Sequence, residues 1–193
     1  MRFRDLVAQA RTCRRFKEAE PMSMADLEAL VDMARLTASG GNLQPLRYVL
    51  SVDPTTNGTI FQTLAWAAYL KDWPGPTEGE RPTGYVVLLL DTSVTEKLDC
   101  DHGIAAQTML LGATDMGFAG CILASISRGT LVKALDIDPR YRVLLVLALG
   151  RPAEVRVIEP LAPGGDVRYW RDEDGTHHVP KRGLEELILA KHG

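Results

Sequence analysis

Leu6, Val7 and Ala10 share one helical face immediately ahead of Arg11, Arg14 and Arg15, a pattern that predicts a short helix delivering cations into a turn. Ser23 with Asp26 three positions on forms a capping box in which Asp replaces the usual Glu. Leu27, Leu30, Val31 and Ala34 then repeat at helical spacing. That second helix should stop near Thr37, because Ser39-Gly40-Gly41-Asn42 is turn chemistry and Pro45 disfavours helix just before it. A strand over 48–52 follows. Ile60, Phe61, Leu64, Ala65 and Ala68 make another amphipathic pattern, and the loop over 73–82 is too rich in Pro and Gly for regular structure. Residues 85–90 are continuously apolar, the mark of a strand buried on both faces.

Between 101 and 116 apolar residues occupy nearly every side of the predicted helix, which calls for burial against the sheet or a partner subunit, and Gly117 is its natural stop. Strands are expected over 121–126 and 143–149, with a helix over 131–135 between them. Helices cluster rather than alternate strictly with strands, so the order favours an α+β layout around one sheet. The tail from 153 to 193 has aromatic residues at Tyr169 and Trp170, a turn at Asp174-Gly175, and a last helix carrying Leu184, Leu187 and Ile188. With so little core of its own, it reads as an arm lying across the body or a second copy of it.

At 193 residues, 46% hydrophobic and 24% charged, the chain has the composition of one globular domain over 1–193. Its net charge of −3 lacks the basic excess of a nucleic-acid binder. Cys13, Cys100 and Cys121 are odd in number and widely spaced, which excludes a disulfide framework and a Cys-x-x-Cys site. With a charged N-terminus and no stretch of about 20 apolar residues, a soluble cytoplasmic protein without membrane or nucleic-acid partners is expected.

Phosphate-loop, dinucleotide, nucleophile-elbow and zinc-protease motifs are absent. Cys100, Asp101, His102 and Cys121 lack the spacing of metal ligands, and no metal is expected. His177 and His178, in a polar stretch, read as solvated surface. Two stretches are richer. Arg11-Thr12-Cys13-Arg14-Arg15-Phe16 sets arginines at i and i+3 with a hydroxyl between them, suited to a phosphate because guanidinium forks bond its oxygens in pairs. Arg15 is assigned to the solvent side of that turn. Ser39-Gly40-Gly41-Asn42-Leu43-Gln44-Pro45 lets a ligand approach the backbone and follows with amides that donate and accept, suited to a heteroaromatic edge.

Arg-Thr-x-Arg-x-Phe at 11–16 followed by Ser-x-x-Asn-x-Gln-Pro at 39–45 resembles the paired signature of the nitroreductase superfamily of FMN enzymes. The resemblance continues through Asp101-x-Gly103-x-Ala105-x-Gln107, Met116-Gly117-Phe118-Ala119-Gly120-Cys121 and Leu149-Gly150-x-Pro152, in order and over nearly the whole chain. It implies an α+β three-layer sandwich whose central, mostly antiparallel sheet is flanked by helices. It also implies a homodimer that exchanges its C-terminal arms and holds one tightly bound FMN at each subunit interface. Arg11 and Thr12 match positions near the flavin phosphate, Arg14 the cation near the ribityl chain and pyrimidine edge, and Lys181 with Arg182 the basic tail that closes on the phosphate. Ser39, Gly40, Asn42 and Gln44 match a loop reaching the flavin from the partner, and Gly120, Cys121 and Ile122 a strand edge beside the isoalloxazine ring.

The sequence departs from the pattern at Leu46, where an aromatic residue commonly follows Gln-Pro, and at Thr108, where Asn is common. Lys71 is the cation near the family's central flavin-contacting segment, and the short insertion over 73–82 allows only a small lid. The resemblance implies an NAD(P)H-dependent oxidoreductase passing electrons through FMN to nitroaromatic, quinone or similar electron-poor acceptors, with no catalytic side chain required beyond electrostatic support from Arg14. Alternatives are a same-fold flavoenzyme using oxygen or haloaromatics, and a flavin-binding protein without turnover.

Overall fold

A computed structural model describes every residue except Lys71 and Leu98. At its centre is β2 (Gly84–Asp91), whose eight residues are all buried. It pairs antiparallel with β1 (Leu46–Ser51) on one side and β4 (Tyr141–Gly150) on the other, and β3 (Ala119–Leu123) closes the order β1-β2-β4-β3. Because strand side chains alternate between faces, the apolar run splits in two. Val86, Leu88, Leu147 and Leu149 face a cluster with Leu27, Leu30, Ala106 and Met109, while Tyr85, Val87, Val146 and Ala148 face Ile60, Trp66 and Leu131. A β-bulge at Leu88/Leu89 shifts the register with β4.

Helices cover both faces of this sheet, giving the α+β sandwich expected from the sequence. On the first face lie α2 (Met24–Arg35) and α4 (Asp101–Asp115); on the other, α3 (Pro54–Gln62) and α5 (Arg128–Ala134). The short α1 (Phe3–Gln9) packs on α4. The capping box of α2 forms: Ser23 Oγ accepts from Asp26 N at 3.2 Å and Asp26 Oδ2 accepts from Ser23 N at 2.8 Å. Gly117 follows α4 with φ 79°, the left-handed stop that glycine makes without a Cβ penalty.

One expectation changes here. The pattern over 60–68 is not one helix. α3 starts earlier, with Asp53 capping Thr56 N at 2.8 Å and Pro54 in its first turn, and ends at Gln62. Beyond it the chain is stitched to the segment after β3, Ala65 N donating to Ser125 O and Ser127 N to Thr63 O, so that Leu64, Trp66 and Ala67 pack on the core outside the helix while Ala65 and Ala68 are exposed. Tertiary pairing overrides the local period here. Helix α4 buries Ala105, Ala106, Met109, Leu110 and Ala113 against the body, as expected, and leaves Ile104 38% exposed, with Gln107 also exposed.

The tail forms its own sheet. β5 (Arg156–Pro160) runs parallel to β7 (His177–Lys181), and β6 (Trp170–Arg171) pairs antiparallel with β7 across the turn at Asp174-Gly175. It docks on the chain's own N-terminal segment, whose Arg15 carbonyl accepts from Ala153 N and whose Lys17 N donates to Arg151 O. Beyond it, α6 (Leu184–Leu187) leaves Leu184 and Leu187 exposed.

Gly120 marks where that N-terminal segment crosses β3: Cys13 N donates to Gly120 O at 2.9 Å, and a Cβ here would stand 2.6 Å from Leu149 Cδ2 and 2.9 Å from Ala148 O. Gly120→Ala should therefore overpack the core and lower stability by about 1–3 kcal/mol, read as a lower urea midpoint. An unchanged midpoint would mean that the backbone yields there without cost.

Candidate functional site

Residues 10–16 run extended between β3 and the first residues of the arm, and this places the basic stretch. Arg14 N donates to Glu154 Oε1 at 2.5 Å, Arg156 Nη1 donates to the Arg11 carbonyl at 3.1 Å, and Arg11 Nη2 donates back to Val7 O at 2.7 Å. Arg11, Thr12 and Arg14 line a cavity of about 340 Å³, together with Ile122 from β3 and Lys181 from β7. Sequence positions 170 residues apart thus meet in one site, as the basic stretches at the two ends predict.

Other members of the cavity come from elements not singled out in the sequence. Gln107 and Leu110 of α4 form one side, and Val167, Tyr169 and His177 of the arm form another. The Arg14 guanidinium lies over the Tyr169 ring, 4.7 Å from its centroid, and its Nη1 is 3.4 Å from His177 Nε2. Tyr169 also packs against Tyr69 at 5.0 Å and His177 at 5.1 Å.

His177 is not solvated surface: it is 1% exposed, whereas His178 beside it is held between Glu159, at 2.8 Å, and Asp172, at 3.0 Å. Strand alternation explains the contrast, since adjacent residues of β7 point to opposite faces. The sequence marks a turn at Asp174-Gly175, and in the fold that turn joins β6 to β7 and sets Arg171 opposite His177.

Electrostatics follow from the packing. Burial pushes the His177 imidazole down to about 4; Glu154 opposes that shift, and Arg14, Arg171 and Arg156 add to it. Glu154, with a fully buried side chain, pairs with Arg171 at 2.8 Å while its other oxygen takes the Arg14 amide. Four arginines, 11, 14, 156 and 171, and Lys181 gather here, yet no carboxylate lines the cavity among the described residues. Burial first, and Arg156 second, lowers the Arg11 pKa, so the cluster carries more positive charge than its own surroundings satisfy. The buried Nε atoms of Arg11 and Arg14 and Nδ1 of His177 have no hydrogen-bond partner among the described residues. A site with these features fits an anion.

The remaining predicted residues fall elsewhere. Arg182 bonds Glu186 at 3.0 Å and does not line the cavity. Gly120 and Cys121 are buried behind Ile122, and burial pushes the Cys121 thiol up to about 11, which leaves it protonated and inert at neutral pH. Arg15 is not on the solvent side: its guanidinium forks onto Glu80, with Nε 2.8 Å from Oε2, tying the N-terminal segment to the loop before β2. Lys71 lies outside the described residues.

Ser39, Gly40, Asn42 and Gln44 make a second cluster at the start of α4. Ser39 Oγ donates to Asp101 Oδ2 at 2.5 Å, Gly40 N donates to Asp101 Oδ1 at 3.0 Å, and Gln44 N donates to Ser39 Oγ at 2.9 Å. Asn42 (φ 54°) and Gln44 (φ 51°) both hold the left-handed conformation, costly for Gln and concentrated at functional loops. Asp101 and the cavity-lining Gln107 and Leu110 are separated by about 9–14 Å along α4. The two clusters share no lining residue.

Known proteins can now be set beside this arrangement. The Nitroreductase family model matches residues 7–69 and 94–151. The chain belongs to the nitroreductase family. A Streptococcus pyogenes protein named as an NAD(P)H nitroreductase, Spy0809, is 23% identical over 180 residues, covering 78% of this chain and 90% of its own. Among solved structures, a nitroreductase-type protein of Desulfovibrio desulfuricans, solved in complex with FMN, has a TM-score of 0.67 at 23% identity, covering 98% of this chain and 96% of its own. An FMN-dependent nitroreductase of Clostridium difficile has a TM-score of 0.66 at 16% identity, covering 79% of this chain and 88% of its own. At these identities the structures establish the shared fold. The family model's match ends at residue 151, so the arm that supplies Tyr169, His177 and Lys181 lies beyond it.

The two adjacent histidines give this nitroreductase-family protein a pH signature. Because His177 titrates near 4 in the fold and near 6.5 when unfolded, the unfolded chain alone binds its proton as pH falls through that window. Its contribution to stability is present above about pH 6.5 and lost as pH falls towards 4. His178 is raised by hydrogen bonds to Asp172 and Glu159, so its contribution is complete below pH 6.5 and lost as pH rises through its raised value. Urea midpoints measured from pH 4 to 8 should decline on both sides, and His178→Ala should remove only the alkaline decline attributable to this residue. An alkaline limb unaltered in that variant would refute the assignment.

Proposed function

We propose that this nitroreductase-family protein is an FMN-dependent oxidoreductase that takes electrons from NAD(P)H and delivers them to nitroaromatic, quinone or similar electron-poor acceptors. The observation that carries this reading is the cavity itself, cationic where Arg11, Arg14 and Lys181 converge and apolar along Ile122, Leu110 and Tyr169. A flavin mononucleotide has the matching anatomy, a phosphate at one end and a flat heteroaromatic ring at the other. The unpartnered guanidinium nitrogens are consistent with a group whose oxygens complete their hydrogen bonds. Names borne by the Clostridium, Desulfovibrio and Streptococcus relatives support the same chemistry.

FMN, when bound, supplies the redox chemistry, and the protein supplies position, electrostatics and access. Arg11 and Lys181 would hold the phosphate by charge-assisted bonds, with the Thr12 hydroxyl lining the same cavity. Arg14 would supply a fixed positive charge to the bound group, favouring its more negatively charged form. Ile122, 36% exposed, and Tyr169 offer apolar surface to a ring. Among the described residues no carboxylate lines the cavity, Glu154 being committed to Arg14 N and Arg171, and His177 is neutral.

The Ser39 to Gln44 loop, held at the far end of α4, acts on the flavin of a second subunit in a homodimer. Exposed Ile104, Leu184 and Leu187 supply apolar surface for such a contact, and arm exchange would extend it. Mixed dimers of Asn42→Ala and Arg11→Ala subunits should rebuild one intact site. Flavin content equal to the mean of the two parents would exclude sharing.

The binding reading is tested by fluorescence titration at low salt. Lys181→Ala should weaken FMN by roughly ten- to a hundredfold, the loss of one charge-assisted bond, and leave riboflavin nearly unchanged. Arg182→Ala should have little effect on either. Wild-type protein that bound neither flavin would end the proposal, and protein that bound FMN but did not oxidise NADH or NADPH in the presence of a nitroarene or quinone would reduce it to binding alone.

A further inference from the structure

Arg14 is gripped at three points: its backbone N–H by Glu154 at 2.5 Å, the face of its guanidinium by the Tyr169 ring at 4.7 Å, and its Nη1 by His177 Nε2 at 3.4 Å. Among the described residues no carboxylate bonds the guanidinium, and the two Glu154 oxygens accept from Arg14 N and Arg171. This separation matters. A carboxylate in the place of His177 would fork onto Arg14 and cancel the charge the cavity presents, whereas a neutral imidazole accepts the same hydrogen bond and leaves the charge whole.

The geometry points to His177 as a positioning residue, whose neutral ring accepts from Arg14 and aims an uncompensated guanidinium into the cavity. Its cross-strand neighbours are Arg156 on β5 and Arg171 on β6, and Glu154 lies against the same cluster. Three guanidinium groups therefore oppose one carboxylate around a ring that is 1% exposed, and a proton added there would meet more like charge than unlike. With Nε2 accepting, the ring's proton resides on Nδ1. That fixes both the tautomer and the direction of the contact.

The effect on a cofactor rests on the flavin reading above, and two measurements separate the ideas. Long-range ¹⁵N–¹H NMR on the wild-type protein should show His177 as the neutral Nδ1–H tautomer from pH 5 to 8, with no flavin added. A protonated ring, or a proton on Nε2, would overturn the proposal whatever the cavity binds. In the flavin-loaded protein, His177→Glu should weaken FMN and riboflavin alike by about tenfold, since it neutralises Arg14 rather than the phosphate contact, and lower the reduction potential of the bound flavin. His177→Gln keeps a neutral acceptor and should restore both affinities to within about threefold of wild type. A folded His177→Glu protein, verified by circular dichroism, with wild-type affinity and potential would refute the role. Wild-type protein that binds no flavin would refute the flavin reading and leave the tautomer to decide the proposal about Arg14, as it also would if the Glu variant failed to fold.

Discussion

One buried carboxylate faces more guanidinium charge than it can balance. Glu154 has no exposed side-chain surface, yet it must serve the Arg14 amide, the Arg171 guanidinium and, through space, the Cys13, Cys121 and His177 environments. Removing it would leave the largely buried Arg171 guanidinium unpaired beside other arginines, a change more costly than the loss of one surface ion pair. Its position joins the N-terminal segment to the arm, so the charge balance and the architecture of the cavity are one constraint. The arm can dock only where Glu154 collects Arg171, and that docking carries Tyr169, His177 and Lys181 to the basic segment.

The sheet makes this possible by being rigid and indifferent to charge. Strand β2 is central and buried on both faces, so the two helical layers pack on it chiefly through apolar side chains, and the buried Asn57 of α3 is satisfied by Ser51 and the Thr83 carbonyl. Charged residues are left to the margin, where the segment over 10–16 lies against β3 through the Cys13 to Gly120 hydrogen bond. The requirement at Gly120 is steric rather than functional, since a side chain there would collide with Leu149 and Leu110 before it touched a ligand. A glycine in a motif can thus shape a site from behind it.

What could be read from the sequence divides along the range of the interactions involved. The α2 capping box, the buried β2 run and the basic Arg11–Arg14 spacing are local statements, and each reappears in the fold. Failures occur where a long-range partner decides. Leu64 and Ala65 keep helical spacing but are drawn out by pairing with 125–127. Arg15 looks solvent-facing until Glu80, 65 residues away, takes it. His177 and His178 are chemically identical neighbours, and only the face each occupies on β7 makes one a neutral buried acceptor and the other an ion-paired surface group. The alternation of a strand was available in the sequence; which face would meet Arg14 was not.

The cation excess also links folding to binding. Burial first, and repulsion from Arg156 second, lower the Arg11 pKa, so part of the shift is the gathered guanidinium groups repelling one another. An anion in the cavity would relieve that repulsion and would touch residues from both ends of the chain, Arg11 and Arg14 from the start and Lys181 from the arm. A ligand of this kind binds the docked arm and has little affinity for the undocked one, so it must stabilise the arm by mass action. The charge that makes the cavity costly to assemble is the same charge that makes it selective. A neutral isostere of Arg14 would relax the free protein and lose the ligand. Retaining it as an arginine held by an uncharged histidine keeps the repulsion modest and the attraction intact.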